Sequence, residues 1–198
     1  MIKALPDRLN NLWWEYRLGV STRGIVPTDH PDSVHYATMR YSTVWTILRH
    51  LDLRAPDVFV DIGSGKGRVL CCAARHRVTK VLGVDISAAL CREAQANAER
   101  LRGRRAPVAV ENMPAQEFDY SATTVLFMFD PFGATTLEPV LDKIGRDTRG
   151  RSVRLAYANP THDAVVQRQP WLDGREFWAR DETGLEHDVA FYRSKPAA

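Results

Sequence analysis

One stretch constrains this chain more than any other. An apolar, β-branched run from Asp57 to Ile62 passes directly into Gly63-Ser64-Gly65-Lys66-Gly67, and a helix-like stretch follows with Val69, Cys72, Ala73 and His76 on one face. Strand, glycine turn and helix in that order place backbone N–H groups and a helix N-terminus at the carboxyl edge of a sheet. That edge is where open α/β folds take their ligands. The spacing is G-x-G-x-G, with Arg68 in the sixth place where a dinucleotide fingerprint needs Gly or Ala.

The same alternation continues along the chain. A strand over Val78 to Ile86 is followed by Ser87 as N-cap and by a helix lined by Leu90, Ala94, Ala98 and Leu101 and closed by Gly103. Further strands are predicted over Pro107–Met113, Thr123–Phe129 and Val153–Ala158, with helices over Leu137–Ile144 and Asp163–Gln169. Glu176–Arg180 and Asp188–Arg193 read as two closing strands. The expected fold is therefore α/β, a doubly wound and mostly parallel seven-stranded sheet in a three-layer sandwich. Ahead of it, Leu5, Leu9, Leu12, Trp13 and Tyr16 form one stripe on a helix ending at Leu18, and Gly19 to Pro31 reads as a loop. A second amphipathic helix runs from about Ala37 to Leu53. Residues 1–53 thus read as an N-terminal helical cap and lid on a core of residues 54–198, all within one structural domain.

Composition narrows the class. With 44% hydrophobic and 26% charged residues in 198, the chain can bury a sizeable core, which excludes disorder, collagen and a membrane bundle. The 27 Lys and Arg against 24 Asp and Glu leave a surplus of three, far from the concentrated basic stripe of a nucleic-acid binder. A basic cluster, Arg100, Arg102, Arg104 and Arg105, sits at a helix C-terminus, where cations are favoured and solvated. Cys71, Cys72 and Cys91 have neither a zinc spacing nor a C-x-x-C, so no metal site is predicted and reduced thiols are expected. The first eight residues carry an early proline and charges instead of an apolar signal region, which makes the cytoplasm the expected compartment.

Asp61-Ile62-Gly63-Ser64-Gly65-Lys66-Gly67 resembles the first motif of the class I S-adenosylmethionine (SAM) dependent methyltransferases, an acidic residue followed by G-x-G-x-G. The resemblance extends to Asp85 in Gly83-Val84-Asp85-Ile86-Ser87, and a strand-end acid that accepts two O–H bonds suits a cis-diol. It implies that Asp85, with Ile86 beside it, holds the ribose. It also implies that Gly63, Ser64, Gly65 and Gly67 let the methionyl part lie against the backbone, with Asp61 near its ammonium group. The adenine falls to Asn112 and Met113, although Pro114-Ala115 replaces the acid-Ala pair common in similar enzymes.

Phe129-Asp130-Pro131-Phe132-Gly133 resembles the (D/N)-P-P-(Y/F) motif of methyltransferases that act on amino groups. The resemblance implies that Asp130, also counted among the cofactor contacts, and the Pro131 backbone accept the amine hydrogens and aim its lone pair at the sulfonium methyl. Phe132 stands where that motif has a second proline, which weakens a reading built on a flipped planar base. In Tyr157-Ala158-Asn159-Pro160-Thr161-His162, His162 is the candidate proton acceptor and Asn159 an acceptor contact. Tyr36 and Tyr41, with Phe132, are expected to close the acceptor side. His30 and His35 lie in the same segment.

These readings predict a SAM-dependent methyltransferase that yields S-adenosylhomocysteine and methylates nitrogen first, oxygen second. A small-molecule acceptor is preferred, then a protein lysine. Nucleic acid comes third because no nucleic-acid module is appended, and no membrane span is predicted. A catalytically silent SAM-binding regulator and a nicotinamide-binding oxidoreductase module remain as alternatives.

Overall fold

The structure, a computed structural model, describes residues 7–24 and 37–195. The most apolar strand marks the middle of the molecule. Val-Leu-Phe-Met-Phe forms β4 (Val125–Phe129), and its first four side chains are buried, as a strand covered on both faces requires. It is flanked by β1 (Val58–Ile62) and β5 (Arg154–Ala158), and β2 (Lys80–Asp85) and β3 (Val108–Asn112) lie beyond β1. These five are parallel. On the far side β7 (Val189–Ser194) runs antiparallel between β5 and the edge strand β6 (Leu172–Trp178), so the order is β3-β2-β1-β4-β5-β7-β6.

Alternating side chains feed two cores, one on each face. Phe59, Val125 and Phe127 join a cluster with Leu18, Tyr41, Val44, Ile47, Leu70 and Ala94 from α1 (Asp7–Leu18), α2 (Tyr41–His50), α3 (Arg68–Ala73) and α4 (Ala88–Arg100). Val60, Ile62, Leu126 and Met128 join Leu137, Val140, Leu141 and Val166 from α5 (Ala134–Asp147) and α6 (Asp163–Gln167) on the other side. The sheet is therefore sandwiched between helical layers as predicted, and α1 and α2 share the core of the first face.

Four local expectations are corrected. The stripe predicted for the first helix points outward: Leu9, Leu12, Trp13 and Tyr16 are exposed, while Glu15 and Leu18 are buried. Leu18 and Trp14 seat that helix on the core, and Glu15 is held by Thr22, Arg23 and Arg68. The second helix begins at Tyr41, because Arg40 is extended and gives its N–H to the Glu186 carboxylate at 2.6 Å. The α5 helix is longer than its apolar pattern and carries Pro139 inside it. Strand β6 starts before the predicted Glu176, with a register irregularity between Asp173 and Glu176, and a short α7 (Arg180–Thr183) follows it. The five central residues of β6 are exposed, so no hydrophobic periodicity announced the strand.

Candidate functional site

The carboxyl ends of β1 to β5 share one edge, and the strand order reverses between β1 and β4, a topological switch point. The loop after β1 depends on left-handed backbone. Gly63 has φ +73°, and a Cβ on it would meet the Pro131 Cβ at 2.6 Å, so the loops after β1 and β4 touch through a glycine. Gly63 and Ser64 donate their N–H groups to the Val84 carbonyl at 2.9 and 3.1 Å, which ties the loop to β2.

Asp85 organises the next corner. Its carboxylate accepts the N–H groups of Gly65 and Ser87, both at 2.9 Å, and so bridges the glycine loop to the start of α4. From β3, Asn112 donates to the carbonyls of Asp85 (3.1 Å) and Ile86 (2.9 Å), and the Met113 N–H reaches the Asp85 carbonyl at 3.2 Å. Gly63, Gly65, Gly67, Asp85, Ile86, Asn112 and Met113 are thus brought to one edge. The Ser64 hydroxyl is buried without a partner among the described residues, close enough to Gly83 that a Cβ there would meet its Oγ at 2.7 Å. The Ser64 backbone is engaged as well, its N–H by Val84 and its carbonyl by the Gly67 N–H at 2.9 Å, so Ser64 shapes the loop.

Asp61 is the unusual acid. It is 3% exposed at the end of β1, and its carboxylate accepts no hydrogen bond among the described residues. Burial pushes its carboxyl well above the usual range, and the nearby Asp85 charge adds to the effect. Burial also raises Asp85, opposed by the hydrogen bonds from Ser87 and Gly65. Two acids, one of them without donors, stand beside a glycine turn, and the arrangement asks for a cation.

Across the edge, Asp130 ends β4 in the left-handed region (φ +40°) and Asn159 follows β5 in the same region (φ +50°). Asp130 Oδ1 accepts the Tyr157 hydroxyl at 3.2 Å and the Thr161 hydroxyl at 2.5 Å, and Oδ2 accepts the Asn159 amide at 2.9 Å. Burial pushes the Tyr157 hydroxyl up to about 12, so it stays a donor at neutral pH. The Asn159 N–H donates to the Asp188 carbonyl at 2.9 Å, and the His187 ring lies 4.9 Å from that of Phe129. His162 caps α6, half-buried, and its ring makes no hydrogen bond among the described residues. Pro131 sits over Gly63.

Two acceptor-side expectations are displaced. Phe132 is buried in the core that contains Leu137 and Phe118, so its ring is core packing and not an open wall. Tyr41 is fully buried beneath the Arg68 guanidinium, 4.4 Å from the ring centre, with its hydroxyl 3.3 Å from that of Thr22. Tyr36, like His30 and His35, lies outside the described residues.

The sequence reading missed the residues that secure the N-terminal segment to the glycine loop. Arg68 is buried and donates to the Thr22 hydroxyl (2.8 Å), the Met39 carbonyl and the Glu15 carboxylate (3.4 Å). Glu15 in turn accepts from Thr22 and, at 2.6 Å, from Arg23. Asn97, fully buried on α4, bonds both backbone groups of Ser21 at 2.9 Å and the Lys66 carbonyl at 2.8 Å. The only available signal was Arg68 in a place where the dinucleotide fingerprint needs a small residue. Tyr157 and Thr161 were also missed, since nothing local marks them as partners of Asp130.

Among the described residues no cluster of His, Cys, Asp and Glu could hold a metal ion, and no helix is long and apolar enough to cross a membrane.

Comparison with known proteins bears on this geometry. The model of the histone methylation protein DOT1 family matches residues 31–120, which hold β1, the glycine loop, Asp85 and β3. No curated protein sequence matches. An RNA methyltransferase from Salinibacter ruber, solved with S-adenosyl-L-homocysteine, is similar at TM-score 0.58 and 18% identity over 82% of this chain and 95% of that one. A SAM-dependent O-methyltransferase from Thermotoga maritima is similar at 0.57 and 17%, over 82% and 68%. Phosphoethanolamine N-methyltransferase 2 from Haemonchus contortus, with SAM bound, is similar at 0.58 and 14%, over 80% and 53%. The fold is that of the class I methyltransferases. Antiparallel β7 between β5 and β6 departs from the dinucleotide-binding order 3-2-1-4-5-6.

Proposed function

We propose that this chain of class I methyltransferase fold is a SAM-dependent enzyme that methylates the nitrogen of a cationic amine. One observation carries the reading: the donorless buried carboxylate of Asp61 stands beside the glycine loop and Asp85. A ligand with a primary ammonium group and a ribose meets both needs, the ammonium pairing Asp61 and the diol reaching the lone pairs of Asp85 not taken by Gly65 and Ser87. Bound SAM supplies a methyl group already activated by its sulfonium charge.

The protein's own task is then to position the amine, dry the crevice and remove a proton. A carboxylate offers about four lone-pair sites, and Tyr157, Thr161 and Asn159 occupy three at Asp130. The remaining site on Oδ2 is enough to take one N–H of the acceptor and fix the direction of its lone pair. An alkylammonium must lose a proton before it can attack, and we assign that step to the His162 ring, which makes no hydrogen bond among the described residues. In the segment that reaches Asn159 and Phe129, Asp181 pairs with Arg180 and Glu186 with Arg40, and Glu182 and Asp188 leave this side acidic on balance.

A small amine is the preferred acceptor. A protein lysine is the second reading, favoured by the match to the histone methylation model. The test is calorimetric titration of SAM and S-adenosylhomocysteine into wild type and Asp85→Ala, followed by incubation with methyl-labelled SAM and fractionated cell extract. Micromolar binding lost in the variant, with label in small amines or in protein, supports the proposal. Binding without transfer identifies a silent SAM sensor, label in nucleic acid overturns the amine acceptor, and no binding to wild type overturns the whole reading.

A further inference from the structure

An open concavity among the described residues lies at the wrong edge for the chemistry above. Where α5 ends, β5 begins and β7 ends, a groove of about 650 Å³ is lined by Arg146, Arg149, Arg151, Lys195 and Trp171. It lies at the amino edge of the parallel strands, one strand length, on the order of 15 Å, from Asp130 and Asn159.

The four cations come from two segments, 146–151 and Lys195, that backbone contacts bring together. The Lys195 N–H donates to the Trp171 carbonyl at 2.9 Å, and the Ser194 hydroxyl donates to the Arg151 carbonyl at 3.0 Å. Gly150, at φ +79° with nothing within 4 Å of its would-be Cβ, turns the chain between Arg149 and Arg151. The α5 dipole accounts for Arg146 in the last turn of the helix, but not for Lys195 on another element. None of the four side chains makes an ion pair or hydrogen bond among the described residues. The only acid on the lining, Asp142, already accepts the Gln169 amide at 3.2 Å.

Trp171 gives the groove an aromatic wall. Its Nε1 donates to the Leu141 carbonyl and the Gln169 side chain, both at 3.1 Å, and a Cβ on Gly145 would come within 2.3 Å of its ring, so the indole is locked and only half-buried. Unengaged cations around a fixed, partly open aromatic ring match the backbone charge and base faces of single-stranded nucleic acid. An acidic peptide would use the cations and leave the ring idle.

We propose that this groove binds single-stranded nucleic acid through its phosphates, independently of which acceptor the opposite edge takes. The test is fluorescence anisotropy of a labelled mixed-sequence RNA of about twelve nucleotides, at about 50 mM salt, with the full chain. Wild type is expected to bind with a log-affinity against log-salt slope of about −2 to −3, as three or four phosphate contacts require. The double variant Arg149→Glu/Arg151→Glu is expected to lose at least about tenfold, and Lys195→Glu, from a different segment, several-fold. Unchanged melting temperature and unchanged SAM titration in both variants show that the fold and the opposite edge are intact. No RNA binding by wild type overturns the proposal, as does binding that both variants leave unchanged. Equal competition by polyglutamate at the same charge concentration overturns the nucleic-acid assignment.

Discussion

Asp130 and Asn159 end adjacent parallel strands in the same left-handed backbone conformation, and the side-chain amide of Asn159 donates to the Asp130 carboxylate at 2.9 Å. Left-handed backbone at a non-glycine residue costs about 1 kcal/mol or more, and Asn and Asp bear it best. The two strained turns therefore hold each other. Asn159→Gly keeps the backbone conformation at no steric cost and removes the amide. It should leave the melting temperature within a few degrees of wild type and SAM affinity unchanged, while lowering kcat by about tenfold to a hundredfold through a misdirected Asp130. Asn159→Ala should show the same kinetic loss with about 1 kcal/mol of lost stability. Parallel calorimetry, steady-state kinetics and denaturant unfolding separate the two effects.

Asp61 has a pH signature. Its carboxyl is raised in the folded chain, so the folded state holds a proton that the unfolded state releases, and Asp61 lowers stability as pH rises through the interval from the ordinary carboxylate value to its raised one. Above that interval the charge is unpaired until a cation arrives. Asp61→Asn should therefore raise the melting temperature of the ligand-free protein at neutral pH and weaken SAM binding by at least about tenfold. Wild-type SAM affinity should fall as pH drops through the raised value, because the protonated acid cannot pair with an ammonium group. Proton release on binding, read as a dependence of the calorimetric heat on buffer, checks the sign directly.

The boundary between what could and could not be read from the sequence follows sequence separation. The apolar β4 run, the strand-glycine-helix unit and the strand-end Asp85 are local patterns, and the structure brings the glycine loop, Asp85, Asn112 and Met113 to one edge. The Arg68–Glu15 and Asn97–Ser21 contacts join residues 53 and 76 positions apart, and no periodicity reports such pairs. The α1 stripe misled for the same reason, because Leu18, Trp14 and a buried Glu15 with distant partners set the orientation of the helix against its apolar pattern. Phe132 and Tyr41 were read as site residues from their place near a motif, but their side chains lie in the cores on opposite faces of the sheet.

The buried pair of Arg68 and Glu15 should behave as a unit. Removing one partner leaves an uncompensated charge, so Glu15→Gln should cost about 3 kcal/mol and loosen the N-terminal segment over the glycine loop. Arg68→Met combined with Glu15→Leu should cost clearly less than the sum of the two single changes, since both desolvated charges vanish together. A double-mutant cycle by urea unfolding measures the coupling. Additive losses would mean that the pair is too well solvated to act as a unit.

The contact between Gly63 and Pro131 makes the glycine loop and the acceptor loop interdependent, and two alanine variants isolate that contact. Gly63→Ala places a methyl 2.6 Å from the Pro131 Cβ at φ +73°, so it meets both backbone strain and a ring that cannot rotate away. Gly150→Ala, at φ +79° with open space around it, meets the strain alone. Gly150→Ala should therefore cost about 1 kcal/mol and leave SAM affinity and turnover unchanged. Gly63→Ala should cost about 2 kcal/mol or more and weaken SAM binding and turnover together, because Pro131 can yield only by moving the loop that carries Asp130 away from the glycine turn. Denaturant unfolding and SAM titration of the two variants side by side check this. Equal stability losses would show that the Gly63–Pro131 approach is relieved without cost, and the coupling of the two loops would then have to run through Asp130 and β5 alone.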